Sequence, residues 1–201
     1  MNGVEKSITY FKYAGKDNTE ETIKLAVKRA KELNIKNIVI SSTTGASGLK
    51  LINEVNSEEL EISVSVVSYH QGFHGEDIIS MPEENKEKLE KLGAKVFIGG
   101  HALSGVERSI SNKFGGVGPV EIIAQTLKNF GHGLKVAYEV SLMAADGGLI
   151  PTKKEIIAIG GRSRGVDTAI VLKPSIMRDF FNSEVREIIC MPRDKRKPEE
   201  L

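Results

Sequence analysis

The chain alternates between two hydrophobic periods, and this constrains its fold more than any other feature. Short β-branched runs at residues 37–40, 62–67, 95–98, 155–159, 168–172 and 184–191 read as strands, since runs of this length and type suit a pleated, buried surface. A further strand is expected at 7–12. Between them lie segments with apolar residues at helical spacing. In 19–33, Ile23, Ala26, Val27, Ala30 and Leu33 share one face, the mark of an amphipathic helix. Asn18 and Glu21 have the spacing of an N-terminal capping box. Further helices are expected at 46–55, 83–92, 119–130 and 134–147. Pro119 suits the first turn of the helix at 119–130, and Gly93 the end of the helix at 83–92. Buried strands alternating with helices imply an α/β fold of three layers, with a mostly parallel sheet covered by helices on both faces. Residues 1–192 read as one domain and 193–201 as a charged, frayed tail. Residues 101–118, with four glycines, suggest mobility.

Composition narrows the function classes. The net charge is +1, so no global field draws the protein to nucleic acid or to an anionic membrane. No apolar run reaches the ~20 residues of a membrane helix, and the first residues hold no apolar signal core. A single cysteine, Cys190, cannot form an internal disulfide and reads as core, and a reducing cytoplasm is the simplest compartment.

In a parallel sheet, ligands gather at the carboxyl ends of the strands. Two loops there carry suitable chemistry. Ser41-Ser42-Thr43-Thr44-Gly45 follows the strand at 37–40 and precedes a helix. Its hydroxyls, its amides and the positive helix end suit a phosphate. The same residues would also serve as an ordinary capping loop, and the spacing of a Walker lysine motif is missing. The second loop, Gly160-Gly161-Arg162-Ser163-Arg164-Gly165-Val166-Asp167-Thr168, joins two strands. Its glycines permit close approach to a ligand. Arg162 or Arg164 would clamp an anion, and Asp167 would accept a sugar hydroxyl. It reads equally as a glycine-rich hairpin with solvated arginines.

Among the histidines, His70 and His74 are four apart but on a loop, with no cysteine partner, so no metal is expected. His70, with Gln71, and His101 follow strand ends and are placed in the cleft, while His132 reads as structural. Glu139 and Asp146 lie seven apart on one helix. Glu139, among Val136, Val140 and Met143, is the better candidate for a functional carboxylate, and Asp146 reads as solvated.

In this order the elements resemble the C-terminal domain of pyruvate kinase. The helix at 19–33, the loop ending at Gly45, the strand at 62–67, and Gly160-Gly161 followed by Asp167-Thr168-Ala169-Ile170-Val171-Leu172 carry the resemblance. It implies a phosphate cradle at Ser41, Ser42, Thr43, Thr44 and Gly45, and a glycine turn that closes the effector site. Residues 101–132 have no counterpart and read as an insertion. No barrel domain is present, so phosphoryl transfer of the pyruvate kinase type is not expected. Leu134-Lys135-Val136-Ala137-Tyr138-Glu139-Val140-Ser141-Leu142-Met143-Ala144-Ala145-Asp146-Gly147-Gly148-Leu149-Ile150 and Ile157-Ala158-Ile159-Gly160-Gly161 resemble a largely archaeal family of stand-alone proteins of this fold. That resemblance points to a ligand of the flavin mononucleotide (FMN) type.

The expectation is therefore a binding protein for a phosphorylated nucleotide such as FMN. Ser41, Ser42, Thr43, Thr44 and Gly45 would hold the phosphate. Gly160, Gly161, Arg162 and Thr168 would line the opposite wall. His70, Gln71 and Glu139 would reach the ring or ribitol, and Tyr69, Phe73 and Met143 would form the slot for the ring. Two alternatives remain open at this point: a sensing module for a sugar phosphate, and a homo-oligomeric scaffold whose loop is vestigial, with an interface on helices 119–130 and 134–147.

Overall fold

Seven strands form a single sheet in the computed structural model, which describes residues 3–200. They are β1 (Thr9–Tyr13), β2 (Asn37–Ser41), β3 (Ser63–Tyr69), β4 (Lys95–Gly99), β5 (Ile156–Gly160), β6 (Thr168–Lys173) and β7 (Glu184–Asp194). Their order across the sheet is β1-β7-β6-β5-β2-β3-β4. The pairs β2–β3, β3–β4, β2–β5 and β1–β7 are parallel. β6 runs antiparallel to both of its neighbours. The β5–β6 connection is therefore a hairpin, too short to hold a crossover helix.

Helices α1 (Thr19–Leu33), α2 (Ala46–Ser57) and α3 (Glu83–Lys91) cover one face, and α5 (Pro119–Lys128) and α6 (His132–Asp146) cover the other. The strand period of two divides the core between them. Ile38 and Ile40 of β2 face the first layer, and Val39 faces the second. The expected three-layer α/β architecture with a mostly parallel sheet is present.

Local chemistry differs from expectation at several points. Asn18 precedes α1 but makes no side-chain cap. Its amide instead donates to the Tyr13 carbonyl at 2.8 Å, so the capping box does not form. The next residue ties α1 to the hairpin: the Val166 amide donates to Thr19 Oγ1 at 3.2 Å. Within α1, Arg29 is only 8% exposed and forks onto Glu187 of β7 at 2.7 and 2.8 Å. That geometry fastens the helix layer to the sheet.

The segment expected to be mobile contains a helix, α4 (Gly105–Phe114), none of whose residues is buried. Its Glu107 carboxylate accepts the amides of Val120 and Glu121 at 3.1 and 2.7 Å. An acidic group from one helix thus caps the open N-terminus of the next.

α6 begins two residues earlier than its apolar stripe suggests, at His132, and nearly all of its length is buried. Its apolar residues pack into the molecule's own core. The exposed apolar residues of this region are Val106, Ile110 and Phe114 on α4, Val117 between α4 and α5, Ile122 on α5, and Phe130 just beyond it. The expected charged tail is shorter at its start, because β7 runs to Asp194. Beyond it, the Ala14 amide donates to the Arg196 carbonyl at 3.1 Å. No helix among the described residues is long and apolar enough to cross a membrane.

Ile159 lies in β5 with no exposed surface. Ile159→Ala should lower the free energy of unfolding by about 2–5 kcal/mol through lost burial and a residual cavity, measured by urea denaturation.

Candidate functional site

The carboxyl ends of β2, β3 and β5 open on one edge of the sheet, and two helices begin there from opposite layers. α2 follows β2 after the loop at 42–45, and α6 begins beside the end of β5. Their closeness depends on small residues. A Cβ at Gly160 would stand 2.3 Å from the Gly133 carbonyl and 2.5 Å from the Ala137 amide. Only glycine lets the first turns of α6 lie against the strand end.

The loop after β2 is built from the sequence upward. Gly45 adopts φ +88°, in the left-handed region that favours glycine. It turns the chain into α2, where the Leu49 amide donates to the Gly45 carbonyl at 2.8 Å. Ser42 is buried. Its amide donates to the Val67 carbonyl, and its hydroxyl accepts the Gly48 amide at 3.2 Å. The Thr43 carbonyl accepts the Ser68 hydroxyl, and the Thr44 carbonyl accepts the Asn85 side chain. These bonds fix the loop through its carbonyls and Ser42. They leave the amides of Thr43, Thr44, Gly45, Ala46 and Ser47 without a partner among the described residues. A run of unpaired amides at a helix start is a concentration of positive potential. Ser42 therefore serves as a cap, and its neighbours do not.

A cleft of about 1510 Å³ opens over this loop. Its cationic lining is Arg108 of α4, Lys128 of α5, Lys135 of α6 and Arg164 of the hairpin. All four histidines of the chain line it as well. Against these stands, among the described residues, one lining carboxylate, Glu139. Glu139 is 2% exposed; it accepts the Leu103 amide at 2.8 Å and pairs with Lys135 one turn away. Its charge is thus spent inside the protein, and the cleft is left electropositive.

At the ends of β3 and β4, rings crowd together to form a wall. Tyr69 and Phe73 have centroids 4.1 Å apart, and His101 lies 4.9 Å from Tyr69 and 5.0 Å from Phe73. Offset and tilted rings at these separations attract one another and present a flat apolar surface.

Of the residues selected from sequence, Ser41, Ser42, Thr43, Thr44, His70, Glu139, Met143 and Gly161 line the cleft, with Tyr69, Phe73 and His101. Gly45 stands behind the loop against Asn85 and Leu89. Gln71 turns its amide to Asp77. Gly160 lies under α6. Thr168 is buried and donates to Asp167. Asp167 itself accepts the Gly15 amide, so it holds the fold together and receives no sugar hydroxyl. Arg162 pairs with Glu200 at 2.7 Å, and it is Arg164 that lines the cleft. Asp146 is exposed and accepts the Met177 amide, away from Glu139.

Sequence reasoning passed over Arg108, Lys128 and Lys135 and took His132 as structural. The usable signal was periodicity: His132, Lys135, Val136 and Glu139 fall on one face of α6. Cys190 is core, as expected, its thiol pushed up to about 12 by burial. No group of three or more His, Cys, Asp or Glu is placed to hold a metal among the described residues.

Residues 20–172 match the model of the pyruvate kinase alpha/beta domain. The chain belongs to that family. Similar solved structures are pyruvate kinases of Cryptosporidium parvum. One is 16% identical, covering 72% of this chain and 20% of its own, with a TM-score of 0.37. Another, at 14% identity, covers 71% of this chain and 20% of its own, with a TM-score of 0.34. A complex with ADP is 13% identical, covering 85% of this chain and 23% of its own, with a TM-score of 0.36. This alpha/beta domain protein thus spans about a fifth of the length of the pyruvate kinases it matches.

Burial pushes His132 down to about 4, and the fields of Lys128 and Lys135 add to it. Burial also lowers His101, with Glu139 opposing. An unfolded chain charges its histidines near pH 6.5. The stability that neutral His132 contributes is therefore complete above that value and is lost as pH falls toward 4. His132→Gln should lose less stability than the unmodified protein between about pH 7 and about pH 5, measured by urea unfolding at each pH.

Proposed function

We propose that this alpha/beta domain binds a phosphorylated nucleotide of the FMN type in the cleft at the carboxyl edge of the sheet. The observation that carries the reading is the run of amides from Thr43 to Ser47 at the start of α2, unpartnered among the described residues and opening into a cleft whose one lining carboxylate among those residues is already paired. A phosphate there would accept hydrogen bonds from oriented amides and from the Thr43 and Thr44 hydroxyls, and would meet the positive end of α2. Lys135 and Arg164 supply longer-range attraction. The planar part of the ligand would lie on Tyr69, Phe73 and His101, with Met143 in the wall beyond. Of the residues first considered, Gly45 acts through backbone conformation. Gly160, Arg162 and Thr168 act by holding the edge in shape, and Gln71 by fixing the loop after β3.

The proposal concerns binding, in a cytoplasmic setting and without nucleic acid or membrane as partner; no reaction forms part of it. A sugar phosphate bound as a signal is the second reading. It is favoured by the hydroxyls of Ser47, Ser68, Ser80 and Ser104, which also line the cleft.

Thermal denaturation with FMN, riboflavin and a hexose monophosphate separates these readings. A ligand that binds only the folded state, at a hundred times its dissociation constant, stabilises by about 2.7 kcal/mol. FMN should raise the melting temperature well above the value with riboflavin, because riboflavin lacks the phosphate. Equal shifts would remove the phosphate loop from the account, and a larger shift with the hexose monophosphate would favour the second reading.

Gly45→Val should abolish the FMN shift while leaving the circular dichroism spectrum unchanged. A β-branched residue resists φ +88°, and its Cβ would meet Asn85 at 3.1 Å. Retained FMN binding by this variant would contradict the proposal.

A further inference from the structure

Helix α4 is tied to the rest of the fold through one side chain. Its Glu107 caps α5, and Gly118 leaves room for that carboxylate. Among the described residues, no other side chain of α4 bonds to another element, and none of its residues joins either apolar core. Yet the helix carries an apolar stripe. Val106, Ile110 and Phe114 recur every four residues, so they share one face, and each is more than half exposed. Single exposed apolar residues need no explanation, but a continuous row marks a surface that meets something.

Glycines bracket this helix. Gly105 begins it at φ +38°, and Gly115 and Gly116 follow it at +76° and +87°. At all three a Cβ would stand in open space. Packing therefore does not call for glycine there, and backbone freedom does. A helix set between such joints and held by one carboxylate has the build of a hinged flap. The loop after β3, which borders the same cleft, is built the other way. Its Gly72 amide donates to the Ile78 carbonyl at 2.9 Å, Gln71 donates to Asp77 at 2.7 Å, and His74 Nδ1 meets the Ser80 hydroxyl at 2.8 Å. This stapled loop leaves Phe73, Ile78 and Ile79 about half exposed, and all three line the cleft, as Val106 does. α4 starts four residues after His101, whose ring belongs to the aromatic wall.

We infer that α4 is a flap that closes toward the loop after β3 and supplies a second apolar wall, so that its stripe selects ligands with a planar, apolar part. The inference rests on the reading that the cleft takes a phosphorylated ligand with its phosphate on the loop after β2. On closure, the stripe leaves water and packs on the planar part of the ligand and on Phe73, Ile78 and Ile79. A ligand that touches wall and stripe together favours closure through those contacts. Inorganic phosphate touches neither and leaves the flap where it stands. Closure also brings the cleft, about 1510 Å³ with α4 as it lies, toward the ~300–1,000 Å³ of common small-ligand sites.

Electron–electron distance measurements on spin-labelled protein test the inference. Asn112→Cys on α4 and Glu76→Cys on the loop after β3 place both labels at exposed positions. Cys190 is buried and takes no label. Saturating FMN should shorten the distance by roughly 5 Å or more, and inorganic phosphate should leave it unchanged. The triple substitution Val106→Ser, Ile110→Ser and Phe114→Ser touches no buried residue, so the variant should fold, with circular dichroism as the check. It should weaken FMN binding at least about tenfold while keeping the affinity for inorganic phosphate, read by competition, within about twofold. An unchanged distance with FMN bound, or equal weakening of FMN and phosphate by the triple substitution, overturns the flap and leaves the loop reading standing. Shortening and FMN affinity that both survive Gly45→Val uphold the flap and overturn the loop reading. Failure of the unmodified protein to bind FMN overturns both.

Discussion

Two helix N-termini, from opposite sides of the sheet, point at the same strand ends. Each carries roughly half a positive charge, from amides that have no partner in the preceding turn. β2 sets both: α2 follows it in the chain, and α6 packs across it and its neighbour β5. Every other feature of the cleft is arranged around that shared field. Carboxylates are scarce there because a carboxylate would quench it. Glu139, the one that lines the cleft among the described residues, is held by Lys135 and by the Leu103 amide.

The hairpin between β5 and β6 closes this edge by satisfying itself. Asp167 takes the Gly15 amide and the Thr168 hydroxyl, and Val166 donates to Thr19. These bonds join the start of α1, the hairpin and the first turn of α6, where Gly133 leaves room for Thr168. An edge so constrained keeps the amides of Thr43 to Ser47 in position before any ligand arrives, which lowers the ordering cost of binding. The exposed helix α4 stands at the other extreme. It is attached through Glu107 to the first amides of α5 and offers the cleft an arginine.

Elements whose pattern depends on local spacing were legible in the sequence. The helix at 19–33 stands where its apolar stripe put it, and β2 extends its expected run by one residue. What depends on partners distant in sequence was not legible. The antiparallel turn of β6 and the cap of α5 by Glu107 arise from tertiary packing. Asn18 looked like a cap but turns its side-chain NH₂ to the Tyr13 carbonyl and accepts no amide of α1. The Ser/Thr loop was placed at the cleft by the rule for strand ends, yet nothing in its composition separates Ser42, which caps α2, from its neighbours with free amides. Arg162 and Arg164 differ only in that Glu200 comes within reach of the first. The cationic wall went unseen because Arg108, Lys128 and Lys135 read one by one as solvated charges. Only the packing of α4, α5 and α6 gathers them.

The central claim is that the amides of residues 43 to 47 are oriented anion donors, and nuclear magnetic resonance of the ¹⁵N-labelled protein tests it most directly. Titration with inorganic phosphate should move the amide signals of Thr43, Thr44, Gly45, Ala46 and Ser47 together and saturably, while chloride at equal ionic strength leaves them in place. Amide signals that stay still under phosphate, or that drift alike with both salts, would contradict the account.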